Sequence, residues 1–338
     1  MGVSDACPSG HRLCVFVQAD ARTSSYLDRL VAVSHTWGRV QQPCTRLRYV
    51  LSLHGLLQLQ NATLMTSRLR ALRRLASDRL LHLNVRPSFS DSDEVDAALL
   101  HDHDVVAVPT NPFDSLGYRR LIDKFIHQYR LIHKEFGQDT SCDWILLTED
   151  DTYCDLPLVR AVLNAKLIAS RRSFYYVGGV VGHFAYGDLV QGGFVLLTNA
   201  AFSFIVDHLD VCISALGTRG FRNGHIDSWL GGCVRYAAGW ANYPSRRRNA
   251  SDYWRRPGMR PMPWPWPIVS SSPHALDDVV RGSLGPGPRS RHVSEWLLCA
   301  SSYHKVLPAD MMAMHALFER PDLQRRRERT RLRLRCHG

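Results

Sequence analysis

The sequence lacks any run of 18 apolar residues and any N-terminal apolar segment of the kind that a signal peptide carries. The first predicted strand begins near His11, so we expect no anchoring helix in front of it. With 338 residues, 45% of them hydrophobic, the chain can bury a sizeable core. This length fits one large domain or two small ones.

The sequence also lacks any Cys-x-x-Cys pair, which argues against a zinc ribbon or a thioredoxin-like centre. The spread of the cysteines is compatible with a few disulfides and an unpaired thiol, as in a protein of the secretory pathway. Two glycosylation triplets, at 61–63 and 249–251, agree with that location, although such triplets often arise by chance. The nine cysteines are at positions 7, 14, 44, 142, 154, 212, 233, 299 and 336.

No helix-turn-helix, zinc-finger or RNA-binding signature accompanies the net charge of +11. Much of the excess lies in residues 319–338, where eight arginines face three acids, a net +5. We expect this Arg-rich tail to be disordered or bound at the surface. The charge alone does not favour nucleic acid, and binding of nucleic acid through the tail stays an alternative.

The most informative stretch is an apolar run that ends in three consecutive acids. Residues 144–147 are typical of a buried strand in an α/β sheet, and Glu149, Asp150 and Asp151 follow. Crowded carboxylates repel one another unless a cation joins them. Ligands bind at this edge of an open α/β sheet, and hard oxygen ligands there suit Mn²⁺ or Mg²⁺. The alternative is a solvated acidic turn.

The order of an apolar strand, Glu-Asp-Asp-Thr-Tyr and a helix resembles the Asp-x-Asp motif of β1,3-glycosyltransferases of the Fringe and core-1 galactosyltransferase type. The usual wording of that motif is Asp-Asp-Asp-Thr-Tyr, so Glu149 replaces the first Asp and lengthens the arm. The resemblance implies that Asp151 is the direct metal ligand. It also implies that Glu149, Asp150 and Asp151 lie against the nucleotide sugar.

Two blocks before the acids are similar to the same family. Residues 13–18 form a predicted strand, and the helix after it ends in Thr36-Trp37-Gly38, as in the family's opening block. Arg29 stands where that block carries a basic residue and is assigned to the nucleotide sugar, while Trp37 is assigned to the core. A second predicted helix, 116–136, carries Lys124 where the family has a lysine that faces the sugar nucleotide. The alternative is that Lys124 is merely exposed.

Two blocks after the acids extend the resemblance. Gly192-Gly193 opens an apolar strand and lets the backbone approach a ligand closely. It resembles the family's Gly-Gly-Ala-Gly-Tyr segment, which lines donor sugar and acceptor, with Phe194-Val195-Leu196 in place of the last three residues. Residues 225–233 resemble the Glu-Asp-(Val/Leu)-x-x-Gly-x-Cys block, with Ile in place of Glu.

Inverting glycosyl transfer needs a base for the acceptor hydroxyl, and a carboxylate within hydrogen-bond reach suffices. Asp227 of the second block is the candidate catalytic base, and its alternative role is a helix N-cap. Cys212 and Cys233 stand where the family has cysteines around this block, which implies a disulfide between them.

Residues 299–312 resemble the segment of core-1 galactosyltransferases that reads roughly Val-Ser-Phe-His-Tyr-Val before a Met-containing helix. The resemblance implies that His304 is the second metal ligand, opposite Asp151. We expect Met311, Met312, Met314 and Leu317 to face the core. Residues 243–290, with alternating Pro and Trp at 261–267, are predicted to be irregular. They form either a linker or an aromatic loop that stacks on a sugar ring.

The resemblance covers residues 12–318 and implies an α/β, GT-A type nucleotide-sugar-binding fold with a mixed central sheet flanked by helices. The domain prediction is an extension at 1–10 and one glycosyltransferase domain at 11–318, before the tail. Within that domain, 11–155 is the nucleotide-sugar half and 156–318 the acceptor half.

The implied reaction is metal-dependent transfer of a hexose, first galactose, from a UDP-sugar to a sugar hydroxyl, with inversion and in β1,3 linkage. The implied acceptor is O-linked N-acetylgalactosamine on glycoproteins, and the implied cofactor is Mn²⁺, with Mg²⁺ as the alternative. The family acts in the Golgi or ER lumen as type II membrane proteins, so a membrane would be met only through an anchor that this sequence lacks. A homodimer is left open, and nucleic acid is not an expected partner. A Fringe-like transferase of N-acetylglucosamine and a silent relative that binds UDP or carbohydrate are the alternatives.

Overall fold

The computed structural model describes residues 11–18, 24–39, 44–52, 105–108, 121–133, 142–166, 174–183, 187–217, 226–237, 260–263, 268–270 and 300–334. The strands in these ranges are β1 (Leu13–Gln18), β2 (Thr45–Ser52), β3 (Val105–Val108), β4 (Trp144–Glu149), β5 (Tyr153–Cys154), β6 (Tyr175–His183), β7 (Gly187–Thr198), β8 (Arg260–Pro263), β9 (Ile268–Ser270) and β10 (Ser302–His304). The helices are α1 (Ser24–His35), α2 (Leu121–Ile132), α3 (Leu156–Lys166), α4 (Asn199–Asp207), α5 (Leu209–Leu216), α6 (Ile226–Ala237), α7 (Pro308–Phe318) and α8 (Pro321–Leu334). A single 3₁₀ turn, Trp37–Arg39, follows α1.

Seven strands form a mixed central sheet in the order β3-β2-β1-β4-β7-β6-β8. The first four are parallel, and β7 runs antiparallel to both β4 and β6. Every residue of β1 is buried, as are the first five of β4, because both faces of the sheet are covered. The predicted α/β class with a mixed central sheet flanked by helices is confirmed.

The strand order reverses beside β1. The chain runs outward from β1 through β2 to β3, and β4 then adds on the opposite side of β1. Gln18, the last residue of β1, is aligned with Glu149, the last residue of β4. The carboxyl ends of the two strands at such a reversal frame the crevice in which open α/β sheets bind ligands.

A smaller sheet in the order β5-β10-β9 lies next to the acidic segment in the chain. Its centre is β10, which pairs antiparallel with β5 and parallel with β9. Tyr303 is aligned with Tyr153, and Ser302 with Cys154. This pairing joins residues that are about 150 positions apart in the chain, and it fixes the position of His304.

Two disulfides are described with both partners. Cys212 of α5 is bonded to Cys233 of α6, the pair that the resemblance implies. Cys14 of β1 is bonded to Cys142, which lies just before β4 and 128 positions away. No local feature of the sequence points to that second pair. Cys154 is a free, buried thiol.

Residues 321–334 form α8, so the expectation of a disordered tail is wrong for them, while the alternative of a surface-bound tail agrees with a helix whose described side chains are mostly exposed. Pro321 begins the helix, where its missing N–H costs nothing. Leu323 and Arg327, one helical turn apart, are both buried and give the helix an inward face. The prediction for the methionines of α7 is wrong for Met312, which is 45% exposed, while Met311 and Met314 are buried.

The expectation of an irregular segment at 243–290 is wrong at two places. Residues 260–263 form β8 and residues 268–270 form β9. Each is the last strand in the order of its sheet, where prolines such as Pro261 and Pro263 are tolerated because they need not donate to a neighbour. The rest of that segment, residues 1–10, Cys7, Cys299, Cys336 and the glycosylation triplets lie outside the described residues.

Strands from both predicted halves of the domain build one sheet, since β1–β4 come from 11–155 and β6–β8 from 156–318. By length and composition alone, none of the described helices could cross a membrane by itself. The pair α4 and α5, bent by 54°, passes the same test when the two helices are taken together.

Candidate metal centre

Three side chains converge at the carboxyl end of β4. His304 Nε2 lies 3.2 Å from Glu149 Oε2 and 3.4 Å from Asp151 Oδ1. One ligand atom of each residue lies within 4.8 Å of the others. Ligand atoms at right angles on an ion with bonds of about 2.1 Å are about 3 Å apart, so this spacing fits a six-coordinate divalent ion. The two carboxylates suit Mg²⁺ or Mn²⁺, and the imidazole is a ligand of divalent transition metals, so the donor set fits a divalent ion.

A tight turn after β4 holds the three acids at the point where the strand order of the sheet reverses. Asp150 N donates to Gln18 O over 3.2 Å, and Thr152 N donates to Glu149 O over 3.1 Å. The indole Nε1 of Trp37 donates to Thr152 O over 2.9 Å. Trp37 is buried, as predicted, and this hydrogen bond connects the end of α1 to the acidic turn.

The pairing of β10 with β5 brings His304 to the same turn. Beyond the strand, Val306 N donates to Asp151 O over 2.8 Å. Lys305, between His304 and Val306, has a φ of 61°, which is uncommon for a residue with a side chain. The backbone thus changes direction immediately after His304, and the imidazole stays beside the carboxylates.

Gly193 makes room for the imidazole. Its φ is +84°, and a Cβ at this position would lie 2.8 Å from both Cγ and Cδ2 of His304. The hydroxyl of Thr148 on β4 donates to Gly193 O over 2.7 Å and holds the backbone there. Gly192 precedes it in β7. The close backbone approach that the Gly-Gly pair predicts is therefore made, in this structure, to a candidate ligand.

Arg29 of α1 supplies positive charge to the acids. Its Nη1 lies 3.7 Å from Asp150 Oδ1 and 3.7 Å from Asp151 Oδ2. Asp150 is buried, so this charge offsets a repulsion that water screens poorly. The structure thus brings Arg29 together with two of the three acids of the motif, Asp150 and Asp151.

The charge on His304 depends on the same carboxylates. Burial disfavours the imidazolium, but the hydrogen bonds and negative charges of Asp151 and Glu149 outweigh it. The net effect raises the pKa of His304 to about 9. Without a metal ion the ring therefore carries a proton at neutral pH, and a metal ion would have to displace that proton.

Asp227 lies elsewhere. It is in the first turn of α6, which begins at Ile226, so Asp227 is inside the helix and not its N-cap. Its Oδ1 accepts a hydrogen bond from Ser228 N at 2.8 Å. Among the described residues it makes no hydrogen bond or ion pair with the three cluster residues. Its role as base stays a prediction, as does that of Lys124, which lies on α2 with its side chain outside the described part.

Glu149 has a role that the sequence did not predict, and two residues near the site, Gln18 and Arg327, were not among the predicted site residues. Glu149, which the motif assigns to the nucleotide sugar, lies in the metal-ligand group, where its longer arm reaches His304. Gln18 is 8% exposed, and its Nε2 finds no hydrogen-bond partner within the described ranges. A polar residue that closes an otherwise apolar strand is the signal that could have singled it out. Arg327 contacts the segment behind the acids and had no such signal.

Comparison of the sequence with protein-family models gives no match, and comparison with curated proteins gives none either. Among solved structures, the chain is similar to the galactosyltransferase LgtC in complex with donor and acceptor sugar analogs, with 12% identity, 86% of each chain covered and a TM-score of 0.38. It is similar to a glycosyltransferase involved in glycosylation of the major capsid of PBCV-1, with 8% identity, 90% of this chain and 99% of that chain covered and a TM-score of 0.35. It is also similar to mouse xyloside xylosyltransferase 1, with 9% identity, 87% and 97% covered and a TM-score of 0.37. Similarities this distant carry no argument about activity.

Proposed function

We propose that this protein is a metal-dependent glycosyltransferase of the GT-A type. It transfers a hexose, with galactose as the first candidate, from a UDP-sugar to a sugar hydroxyl, with inversion and in β1,3 linkage. The observation that carries the proposal is the Glu149–Asp151–His304 cluster at the reversal of the strand order. A divalent-ion site in the nucleotide crevice of an open α/β sheet suits a substrate that carries a diphosphate.

Glu149, Asp151 and His304 would hold Mn²⁺ or Mg²⁺. Three protein ligands leave positions on a six-coordinate ion for diphosphate oxygens. When bound, the ion would offset the negative charge that develops on the departing UDP. Arg29 lies beside the same acids and adds a fixed positive charge. These groups together would stabilise the charge of the departing diphosphate, so that it could leave without being protonated.

The rest of the reaction concerns the acceptor. The acceptor oxygen bonds to the anomeric carbon, the bond from that carbon to the diphosphate breaks, and UDP leaves. The hydroxyl proton passes to a base, for which Asp227 is our candidate. In this proposal the donor sugar and the acceptor lie between the metal site and Asp227. O-linked N-acetylgalactosamine on a glycoprotein is the first acceptor to try.

The disulfides Cys14–Cys142 and Cys212–Cys233 support a place in the secretory pathway, because disulfides persist in oxidising compartments. The Golgi or ER lumen is therefore the proposed location.

A second candidate function is a relative that binds UDP without turnover. Ile226, which is buried, stands where the resembled family carries a Glu next to the base.

A transferase specific for N-acetylglucosamine would use the same metal site and differ only in its donor.

The test is release of UDP from UDP-galactose, UDP-N-acetylglucosamine and UDP-glucose, with and without Mn²⁺, in the presence of an N-acetylgalactosamine glycoside. Asp151→Asn is the test variant, and Asp322→Asn, which removes an exposed charge on α8, is the matched control. Metal-dependent release that needs Asp151 but not Asp322 supports a transferase and identifies its donor. Mn²⁺-dependent UDP binding without release indicates the silent relative, and absence of UDP binding contradicts both.

A further inference from the structure

One arginine of the Arg-rich C-terminal segment is buried. Arg327 of α8 is 5% exposed, and its Nη2 lies 2.8 Å from Asp155 Oδ2. The same nitrogen donates to Ala300 O over 3.3 Å. The guanidinium carbon lies 3.9 Å from the centre of the Phe318 ring. Arginines are rarely buried without a specific partner, so these contacts call for a role.

Two polar partners of Arg327 flank β5 and β10, the paired strands next to the metal ligands. Asp155 directly follows β5, and Ala300 lies two residues before β10. Between them, Asp155 N donates to Ser301 O over 2.8 Å. Arg327 therefore bonds both strands at the end where β5 stops and β10 begins.

The metal ligands lie at the opposite end of the same pair of strands. There Val306 N donates to Asp151 O, and His304 faces the carboxylates of Glu149 and Asp151. The paired segment is short, with only Tyr153–Tyr303 and Cys154–Ser302 aligned between its two ends. A change of spacing at one end of so short a ladder is carried to the other.

Asp155 also fixes the direction in which the chain leaves β5. Its Oδ1 accepts a hydrogen bond from Leu158 N at 3.0 Å, so the residue caps the N-terminus of α3. Its other oxygen, Oδ2, is the partner of Arg327. One carboxylate thereby joins α3, α8 and the small sheet at a single point.

We propose that Arg327 and Asp155 form a clamp that sets the spacing of β5 and β10 and so keeps His304 within coordinating distance of Glu149 and Asp151. Arg327 is a positioning residue, since it acts through the strands and does not touch the metal ligands. The inference rests on the proposed metal site. It makes α8 a support of the metal centre. Residues that hydrogen-bond a ligand directly change metal affinity by about 10- to 100-fold in other proteins, and Arg327, which acts one step further out, should lie at the lower end of that range.

The charge of Arg327 is not sufficient for this role. A guanidinium offers several N–H groups in one plane and can bond Asp155 and Ala300 O together, whereas an ammonium is a point charge on a flexible stem. Arg327→Lys keeps the charge and weakens the bridge. Arg327→Met with Asp155→Asn removes both charges, leaves no buried charge unpaired and keeps a capping side chain for α3.

The experiment is calorimetric titration of the full chain with Mn²⁺ in the absence of any sugar nucleotide, with the fold of each variant checked by circular dichroism. The matched control is Arg320→Met with Asp322→Asn, which removes an exposed ion pair of 2.9 Å at the start of the same helix. We expect the Arg327/Asp155 double variant to bind Mn²⁺ about 10-fold more weakly. Arg327→Lys should lie between it and the wild type, and the control should match the wild type.

The outcomes separate the inference from the proposed function. A wild type that does not bind Mn²⁺ contradicts the proposed metal site itself. A wild type that binds, together with a folded double variant of unchanged affinity, overturns the clamp even if the variant unfolds at a lower temperature. If the double variant does not fold, Arg327→Lys decides by the same comparison, because it retains the buried charge pair.

Discussion

Gly193 and His304 lie in contact, backbone against ring, although 111 positions separate them in the chain. The glycine has a φ of +84°, and a methyl group on it would lie 2.8 Å from two ring carbons of His304. The backbone of His304 is held in the small sheet, and its Nε2 is held by Glu149 and Asp151. The ring therefore has little freedom to move away from an added methyl group. The glycine is therefore required both by its own backbone conformation and by the imidazole next to it.

Gly193→Ala should weaken Mn²⁺ binding about 10-fold or more, because the added methyl displaces the imidazole from the carboxylates. It should also lower the free energy of unfolding by about 1 kcal/mol, through the positive φ alone. Titration with Mn²⁺ measures the first effect, and denaturant unfolding measures the second.

Gly217→Ala is the control for that variant. Gly217 also has a positive φ, of 68°, but it ends α5 and lies outside the cluster. Gly217→Ala should lose at least as much stability, because φ 68° with ψ 167° is a conformation almost confined to glycine, and it should keep its Mn²⁺ affinity. If both variants bind Mn²⁺ like the wild type, the glycine does not protect the position of His304.

The pKa of His304 predicts how stability depends on pH when a chelator keeps the protein free of metal. The folded-state pKa of about 9 lies above the ordinary histidine pKa of 6.5, so this group stabilises the fold fully below pH 6.5. That contribution, on the order of 3 kcal/mol, is lost as the pH rises through 9. Denaturant unfolding of wild type and His304→Gln between pH 6 and 9.5 measures it as the difference between the two proteins.

Mn²⁺ should remove this dependence, because the metal-bound imidazole carries no proton in the folded protein, as in the unfolded chain above pH 6.5. The protonated imidazole cannot be a ligand, so the affinity of the wild type for Mn²⁺ should rise from pH 6.5 towards 9. If the difference in free energy of unfolding between metal-free wild type and His304→Gln does not change with pH, the carboxylates do not raise the pKa of the imidazole.

Gln18→Leu should weaken UDP binding about fivefold without lowering stability. The amide nitrogen of Gln18 is buried at the reversal of the strand order and has no partner in the described part of the chain, so a nucleotide hydrogen bond is the role it fits. Removal of a buried amide nitrogen that has no partner in the described part of the chain should leave the free energy of unfolding unchanged or raise it. Isothermal titration with UDP and Mn²⁺ gives the affinity, and thermal unfolding gives the stability.

Gln128→Leu provides the comparison. Gln128 lies on α2, is fully buried, and both of its amide atoms are without partners within the described ranges. It should gain stability and bind UDP like the wild type. Equal UDP affinity in Gln18→Leu and in the wild type would leave Gln18 as an ordinary buried polar residue.

The part of this site that is local in the chain could be predicted from the sequence. A buried apolar strand and the acids at its end are one continuous stretch, so the position of Asp151 follows from the pattern of β4 alone. His304 could be predicted only through the resemblance, because its approach to the acids depends on a two-residue strand pairing between β5 and β10. Neither periodicity nor composition reports such a short, distant pairing.

The contribution of α8 could not be predicted for a different reason. Its arginines look alike in the sequence, and one of them is buried only because Asp155 and the ring of Phe318 lie beneath it. The Cys14–Cys142 bond is hidden in the same way, since it depends on β1 and β4 being neighbours. These features arise from the packing of elements far apart in the chain.

Asp227→Asn should lower kcat by about 100-fold or more and leave the affinities for Mn²⁺ and UDP unchanged. An asparagine can still accept the hydrogen bond from Ser228 N, so the first turn of α6 should remain intact. A base that takes the acceptor proton in the transition state contributes to kcat, whereas the metal site lies at other residues. Steady-state kinetics with the donor that supports release, together with Mn²⁺ and UDP titrations, separate the two.

Asp210→Asn is the matched control, since Asp210 is an exposed carboxylate on α5 paired with Arg130. It should keep both kcat and affinity. If Asp227→Asn retains kcat as well, the proton leaves by another group, and α6 only supports the sheet. If it loses UDP affinity together with kcat, Asp227 contributes to donor binding rather than to proton transfer, and the acceptor must then approach from a side where a different carboxylate can reach its hydroxyl.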